Sequence, residues 1–332
     1  MAHELAQAAD GTYGFAYRGA KGWHDKGQEI FAGDSLEVIQ TKAHMAYELQ
    51  RGKVRYATAH GMTPDAFREM PGQVVIFRSD TKLPLAVVSD RFNIVQPRQV
   101  IETFRDLSDR AGFQLETAGV LKEGRVYWAM ARIGPDAIIR NKADAVAPFL
   151  LISTACDGSR ATEGKYVTER VVCANTIAMA FRESDGRTSV KVSHRSIFDP
   201  EALKDQLGIA RDGFSDWAKT ARLLAAEPCG HDSAEQFVFE ILTAKDWDKA
   251  TAAVIEETRK TTGFETIMGL FNGQGKGATL DGVRGTRWGL LNSVTEYVDH
   301  HIRARSDDNR TDSAWFGNGD KLKTRAAQLL TV

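Results

Sequence analysis

The chain has 332 residues, 42% hydrophobic and 26% charged, with a formal net charge of −1, the composition of a folded globular protein rather than a disordered or fibrous one. No apolar run approaches the roughly 18–20 residues that cross a bilayer. The start, MAHELAQAADGTYG, lacks the basic region and apolar core of a secretory signal, so the expected setting is cytoplasmic.

Residues 1–35 carry glycines and the aromatics Tyr13, Phe15, Tyr17, Trp23 and Phe31, and read as an irregular arm seeking something to pack on, for which a neighbouring subunit would serve. Residues 35–49 follow a capping Asp34 or Ser35 with apolar residues at helical spacing. GQVVIFRSDTKLPLAVVSDRFNIV (72–95) has two β-rich runs around a Ser-Asp-Thr-Lys turn. Pro97 opens a helix on Val100, Ile101, Phe104 and Leu107, closed by Gly112. A second hairpin, FQLETAGVL and RVYWAMARIG, turns at Lys122-Glu123-Gly124. FLLISTA then predicts a strand, CDGS a tight turn, and Val171–Phe181 a helix striped by Ala174, Ile177, Ala178 and Phe181. Beyond Asp199 the pattern is helical in pieces, 200–225, 233–244, 246–260, 263–272 and 287–304, broken by the loop 272–286. The expected class is therefore α+β: antiparallel hairpins with packed helices in an α-β-β-β-α core, then a mostly helical C-terminal domain. The expected division is an arm at 1–35, a core domain at 36–198 and a helical domain at 199–332.

Chemistry-bearing motifs are few. GLFNGQGKGAT (269–279) departs from a phosphate loop because Gly277 follows Lys276 and no strand precedes it. Cys156, Cys173 and His194 match no zinc spacing, and three cysteines without CxxC fit a reducing compartment. There is no GxSxG, and nothing singles out one of the loop aspartates Asp25, Asp90, Asp157 or Asp281. Neither a catalytic activity, nor a metal, nor a cofactor is expected.

Charge placement is the positive signal. Between 160 and 195, Arg160, Lys165, Arg170, Arg182, Arg187, Lys191 and Arg195 face four acidic residues, with Tyr166 interleaved. Cations beside aromatic faces suit a single-stranded backbone with splayed bases. Lys53, Arg55, Lys122 and Arg125 are secondary phosphate candidates, and Tyr127 a second stacking candidate.

Several ordered segments, VSDRFNIVQP, ETAGVLKEGRVYWAMARIG, PFLLISTACDGSRA, RVVCANT, RWGLLNSVTEYVDHH and WFGNGDKLKTRA, resemble the phage/plasmid-like family known as domain of unknown function 932. That resemblance covers the chain from about Trp23 and implies a phage, plasmid or prophage setting in bacteria, without assigning chemistry. The element order is also similar to single-strand annealing proteins of the RecT and Redβ type. This more distant resemblance implies ATP-independent, metal-independent annealing by a ring or helical filament that holds single-stranded DNA in a basic groove. The expected function is sequence-independent DNA binding for annealing or recombination. The alternative is a protein–protein module, an inhibitor or decoy of a host defence or replication factor, whose contact surface would be the aromatic arm and Trp315-Phe316-Gly317.

Overall fold

The computed structural model describes residues 11–19, 27–58, 66–111, 113–140, 142–170, 175–178, 189–199 and 210–331. The elements are β1 (Phe15–Tyr17), β2 (Gln28–Glu29), α1 (Leu36–Lys42), β3 (Leu49–Ala57), β4 (Phe67–Arg78), β5 (Pro84–Ser89), α2 (Pro97–Ala111), β6 (Gln114–Leu121), β7 (Val126–Arg132), β8 (Ala137–Ile138), β9 (Ala145–Ala155), β10 (Thr162–Arg170), β11 (Asn175–Ala178) and β12 (Ser189–Val192). Helices α3 (Ala210–Ala226), α4 (His231–Thr243), α5 (Ala252–Arg259), α6 (Thr262–Gly269), α7 (Arg287–Glu296), α8 (Asp307–Phe316) and α9 (Asn318–Leu330) complete an α+β protein with a helical C-terminal part.

Two compact units share the chain discontinuously. The first takes 1–132, 150–165 and 189–208; the second takes 133–149, 166–188 and 209–332, so β9 and β10 contribute residues to both. In the first unit the strands are ordered β12-β10-β9-β7-β6-β1-β2, with β3-β4-β5 as a separate antiparallel sheet. Both hairpins anticipated from sequence form, β4 with β5 and β6 with β7. The core sits on β7, where Tyr127, Trp128 and Met130 are all buried, so both strand faces are covered. Helix α2 covers β6 and β7 with Val100, Ile101 and Phe104, the stripe its sequence period required.

The N-terminal arm behaves differently from expectation. Phe15, Ala16 and Tyr17 are buried and pair with Thr117–Gly119 of β6, and the Phe15 ring lies 5.8 Å from that of Trp128. That part of the arm has its own chain to pack on and needs no neighbouring subunit for burial.

The turn between β6 and β7 anchors the separate sheet. Lys122, Glu123 and Gly124 all have positive φ, and a Cβ on Gly124 would stand 2.5 Å from the Tyr47 hydroxyl. That hydroxyl donates to the Gly124 carbonyl at 3.1 Å, and the Arg78 guanidinium lies 4.0 Å from the centre of the Tyr47 ring while donating to the Glu123 carbonyl.

In the second unit, Val167–Arg170 of β10 pair with β11. A strand therefore occupies part of the stretch anticipated as the helix Val171–Phe181. Thr176 and Ile177 are β-branched and fit an extended partner for β10, and long-range pairing outweighs the helical spacing of the alanines. The flanking residues 171–174 and 179–188 lie outside the described residues.

Candidate anion-binding site

Three turns at strand ends build one cavity within the first unit. After β5, the turn Ser89-Asp90-Arg91-Phe92 is closed by the Phe92 amide donating to the Ser89 carbonyl at 3.0 Å, and Ser89 Oγ accepts from the Arg91 amide at 3.3 Å. After β12, Ser193-His194-Arg195-Ser196 repeats this design: the Ser196 amide donates to the Ser193 carbonyl at 2.9 Å, and Ser193 Oγ accepts from the Arg195 amide at 3.2 Å. The third turn joins β9 to β10, where the Ser159 amide donates to Asp157 Oδ1 at 2.9 Å and Gly158 has a φ of 74°. Arg160 follows directly. Short polar side chains capping their own backbone are what place an arginine at the same point of the first two turns.

His194 fastens the three turns together. Its Nδ1 lies 3.0 Å from the Asn93 carbonyl and its Nε2 3.1 Å from the Arg160 carbonyl, while its own carbonyl accepts from the Asn93 amide at 2.7 Å. The ring stacks on Phe92 at 4.3 Å with 19° between planes. Arg51 reaches in from β3 and donates to the carbonyls of Asp90 and Phe92.

The cavity so formed has a volume of about 790 Å³ and is lined by Arg91, Arg160 and Arg195, with Asp90 its one lining carboxylate. Its size is that of small-molecule sites, about 300–1,000 Å³. Arg91 and Arg195 are exposed, and neither forms an ion pair among the described residues. Ser89 and Ser193 add hydroxyls, and Gly72 and Gly158 let a ligand approach the backbone. The exposed guanidinium groups of Arg91 and Arg195, with half-buried Arg160 beside them, give the cavity the chemistry of an anion site, suited by fork geometry to phosphate oxygens.

Of the phosphate candidates named from sequence, Arg160 and Arg195 meet here. Arg91 was missed, although the recurrence of V-S-x-R at 88–91 and 192–195 was readable. The other candidates are placed elsewhere. Lys165 and Arg170 are 4% and 3% exposed, and Arg170 Nε donates to Asp144 Oδ1 at 2.5 Å, so neither offers a cation to a passing strand. Lys191 is exposed but pairs with Glu163 at 3.5 Å. Lys53 and Arg55 share Glu69, at 2.9 and 3.3 Å. Arg125 donates to the Leu85 carbonyl and faces Glu123 at 3.6 Å, and Lys122 is half-buried in its turn. Arg182 and Arg187 lie outside the described residues.

Neither tyrosine can serve as a stacking platform. Tyr127 is fully buried with its hydroxyl donating to the Val95 carbonyl, and Tyr166 is 3% exposed. Burial raises the pKa of both phenols. Both lie on strands covered on two sides, which alternation cannot reveal.

The remaining motifs have structural uses. Cys156 is buried, its thiol pushed up to about 12 chiefly by desolvation, and Sγ faces the Gly124 carbonyl. In the glycine-rich loop the Lys276 amide donates to the Glu296 carboxylate at 2.9 Å, so the protein supplies its own anion where a nucleotide loop would hold phosphate. Trp315 is buried and stacks edge-on against Phe316, which withdraws it from a contact surface. Among the described residues no group of three or more His, Cys, Asp and Glu is arranged to hold a metal ion, and no helix is long and apolar enough to cross a membrane.

The family described as a domain of unknown function (DUF932) matches residues 84–315, more than two thirds of the chain and all three cavity arginines. The chain belongs to that family. No curated protein and no solved structure matches it.

Proposed function

We propose that this protein binds a single-stranded nucleic acid through its sugar–phosphate backbone, with the cavity of Arg91, Arg160 and Arg195 as the principal phosphate site. The observation that carries this reading is the convergence of three arginines, from three separate strand-end turns, on one cavity of about 790 Å³. A flexible single strand can enter a recess of that size, whereas a duplex presents its phosphates on a stiff convex cylinder. Arginine contacts to phosphate oxygens carry no base preference, so binding is independent of sequence. The reading includes no covalent step. Annealing of complementary strands, with assembly into a ring or filament, would be a further property of the bound state.

The test is fluorescence anisotropy with labelled single-stranded oligonucleotides over a range of salt. Three phosphate contacts at about 0.7 ions each give a log–log slope of about −2, so affinity falls about 20-fold between about 50 and about 200 mM salt. Replacing Arg91 and Arg195 together by alanine removes about 1.4 from that slope. Absent or salt-insensitive binding by the parent, or parental binding by the double variant, overturns the reading.

A further inference from the structure

We infer that the distal half of the β3–β4 ribbon is a second contact for the same strand, with Tyr56 as a base-stacking platform beside Arg68. This rests on the proposed function and extends its footprint. β5 pairs with β4 only over Gln73–Phe77, so Arg55–Ala57 and Phe67–Glu69 form a two-stranded ribbon beyond the three-stranded sheet. Arg55, Tyr56, Ala57, Arg68, Glu69 and Met70 are all exposed, although paired strands alternate their side chains between two faces. Among the described residues, no core covers either face over Arg55–Ala57 and Arg68–Met70. A large aromatic is left 51% exposed there, with Met70 at 47%, so each is only half covered at that position.

The register decides what stands beside the ring. Tyr56 lies directly opposite Arg68, and Arg55 opposite Glu69, so one face presents a phenol ring with a guanidinium across the strand gap. Directly opposed side chains in an antiparallel pair have Cβ atoms about 5 Å apart. A ring and a cation at that spacing match one base and its neighbouring phosphate, the pairing that sequence-independent single-strand sites use.

The ribbon also leads to the cavity. Lys53 pairs with Val74 and Arg55 with Glu69, so Met70–Gln73 bulge opposite Val54 alone. Gly72, at a φ of 72°, turns this bulge and itself lines the cavity. Gly72 and Arg68 are four residues apart, a span of at most about 13 Å even for fully extended chain. A strand leaving the arginine cavity therefore meets Tyr56 and Arg68 within a few nucleotides, with Lys53 and Arg55 on the ribbon's way.

The experiment compares Tyr56→Ala, Tyr56→Phe and Arg68→Ala with the parent and with the Arg91→Ala plus Arg195→Ala variant, using single-stranded oligonucleotides in the full chain. Tyr56→Ala is expected to weaken binding about 5- to 150-fold without changing the salt slope, and Tyr56→Phe to stay close to the parent. Arg68→Ala lowers the slope by about 0.7. Parental affinity in Tyr56→Ala, with loss in the cavity variant, overturns the ribbon contact and leaves the cavity reading standing. A parent that binds no oligonucleotide overturns both. A change of oligomeric state in Tyr56→Ala at unchanged affinity assigns the ribbon to contacts between copies and overturns the inference.

Discussion

Asp144 offers the sharpest test of how the second unit is held. Its side chain is completely buried, Oδ1 accepting from Arg170 Nε at 2.5 Å and Oδ2 from Trp288 Nε1 at 2.9 Å. Arg170 Nη1 in turn donates to the Lys276 carbonyl at 3.2 Å. One carboxylate thus ties the end of β10, the glycine-rich loop and α7. Asp144→Ala leaves a guanidinium in the interior without its counter-charge and an indole N–H without its acceptor. Removing one member of a buried pair costs about 3–5 kcal/mol, and an orphaned N–H about 1–3 kcal/mol. Because these groups form one network the two do not add, and a net loss of about 4 kcal/mol is expected. With an m-value of about 2–3 kcal/mol/M in urea, the midpoint of unfolding followed by tryptophan fluorescence falls by more than about 1 M. A companion variant, Asp144→Leu with Arg170→Met, replaces the pair by apolar volume and should recover most of the loss. A decrease under about 1 kcal/mol in Asp144→Ala would refute the reasoning.

Two further outcomes follow from named ion pairs. Lys53 and Arg55 hold the Glu69 carboxylate below its ordinary range, so Glu69→Gln releases both cations and should tighten oligonucleotide binding while steepening the salt slope by up to about 1.4. The Arg78 guanidinium, aided by the Thr81 amide, likewise lowers the pKa of Asp80. A depressed folded-state value stabilises above the unfolded one and is lost as pH falls through the folded one. Asp80→Asn should therefore lower the urea midpoint at neutral pH and leave it unchanged near about pH 2, by less than about 1 kcal/mol because the carboxylate is 41% exposed.

Local signals made the scaffold legible. The stripe of Val100, Ile101 and Phe104, the turn Ser79–Lys82 and the Lys122–Gly124 turn each state their element within a few residues, and each forms. Helices α8 and α9 lay beyond the anticipated pieces, although Ser306 caps the first through the Asn309 amide and Gly317 separates the two, both readable signs. What the sequence could not display is how many faces of a strand are covered. β10 (TEGKYVTER) is as polar in sequence as a solvated strand, yet Lys165, Tyr166 and Arg170 on it are buried. The same blindness hid the β11 pairing, since Asn175–Ala178 finds its partner in a strand rather than in its own periodicity.

The cations counted along 160–195 divide by position rather than by number. Those inside β10 meet the interior of the sheet and are drawn into internal structure, as Arg170 is by Asp144. Those just past a strand end stand at turns, where the backbone leaves the sheet and a long side chain can project into a recess. A free arginine on a mobile loop would lose much of its binding energy in ordering itself around a phosphate. Here the serine hydroxyls at 89 and 193 fix the turns that carry Arg91 and Arg195, and His194 joins the backbones at Asn93 and Arg160. The ordering is completed by folding, before any anion arrives. Under the proposed function, a chain with a net charge of −1 would hold a polyanion at one place, arrangement supplying what total charge does not.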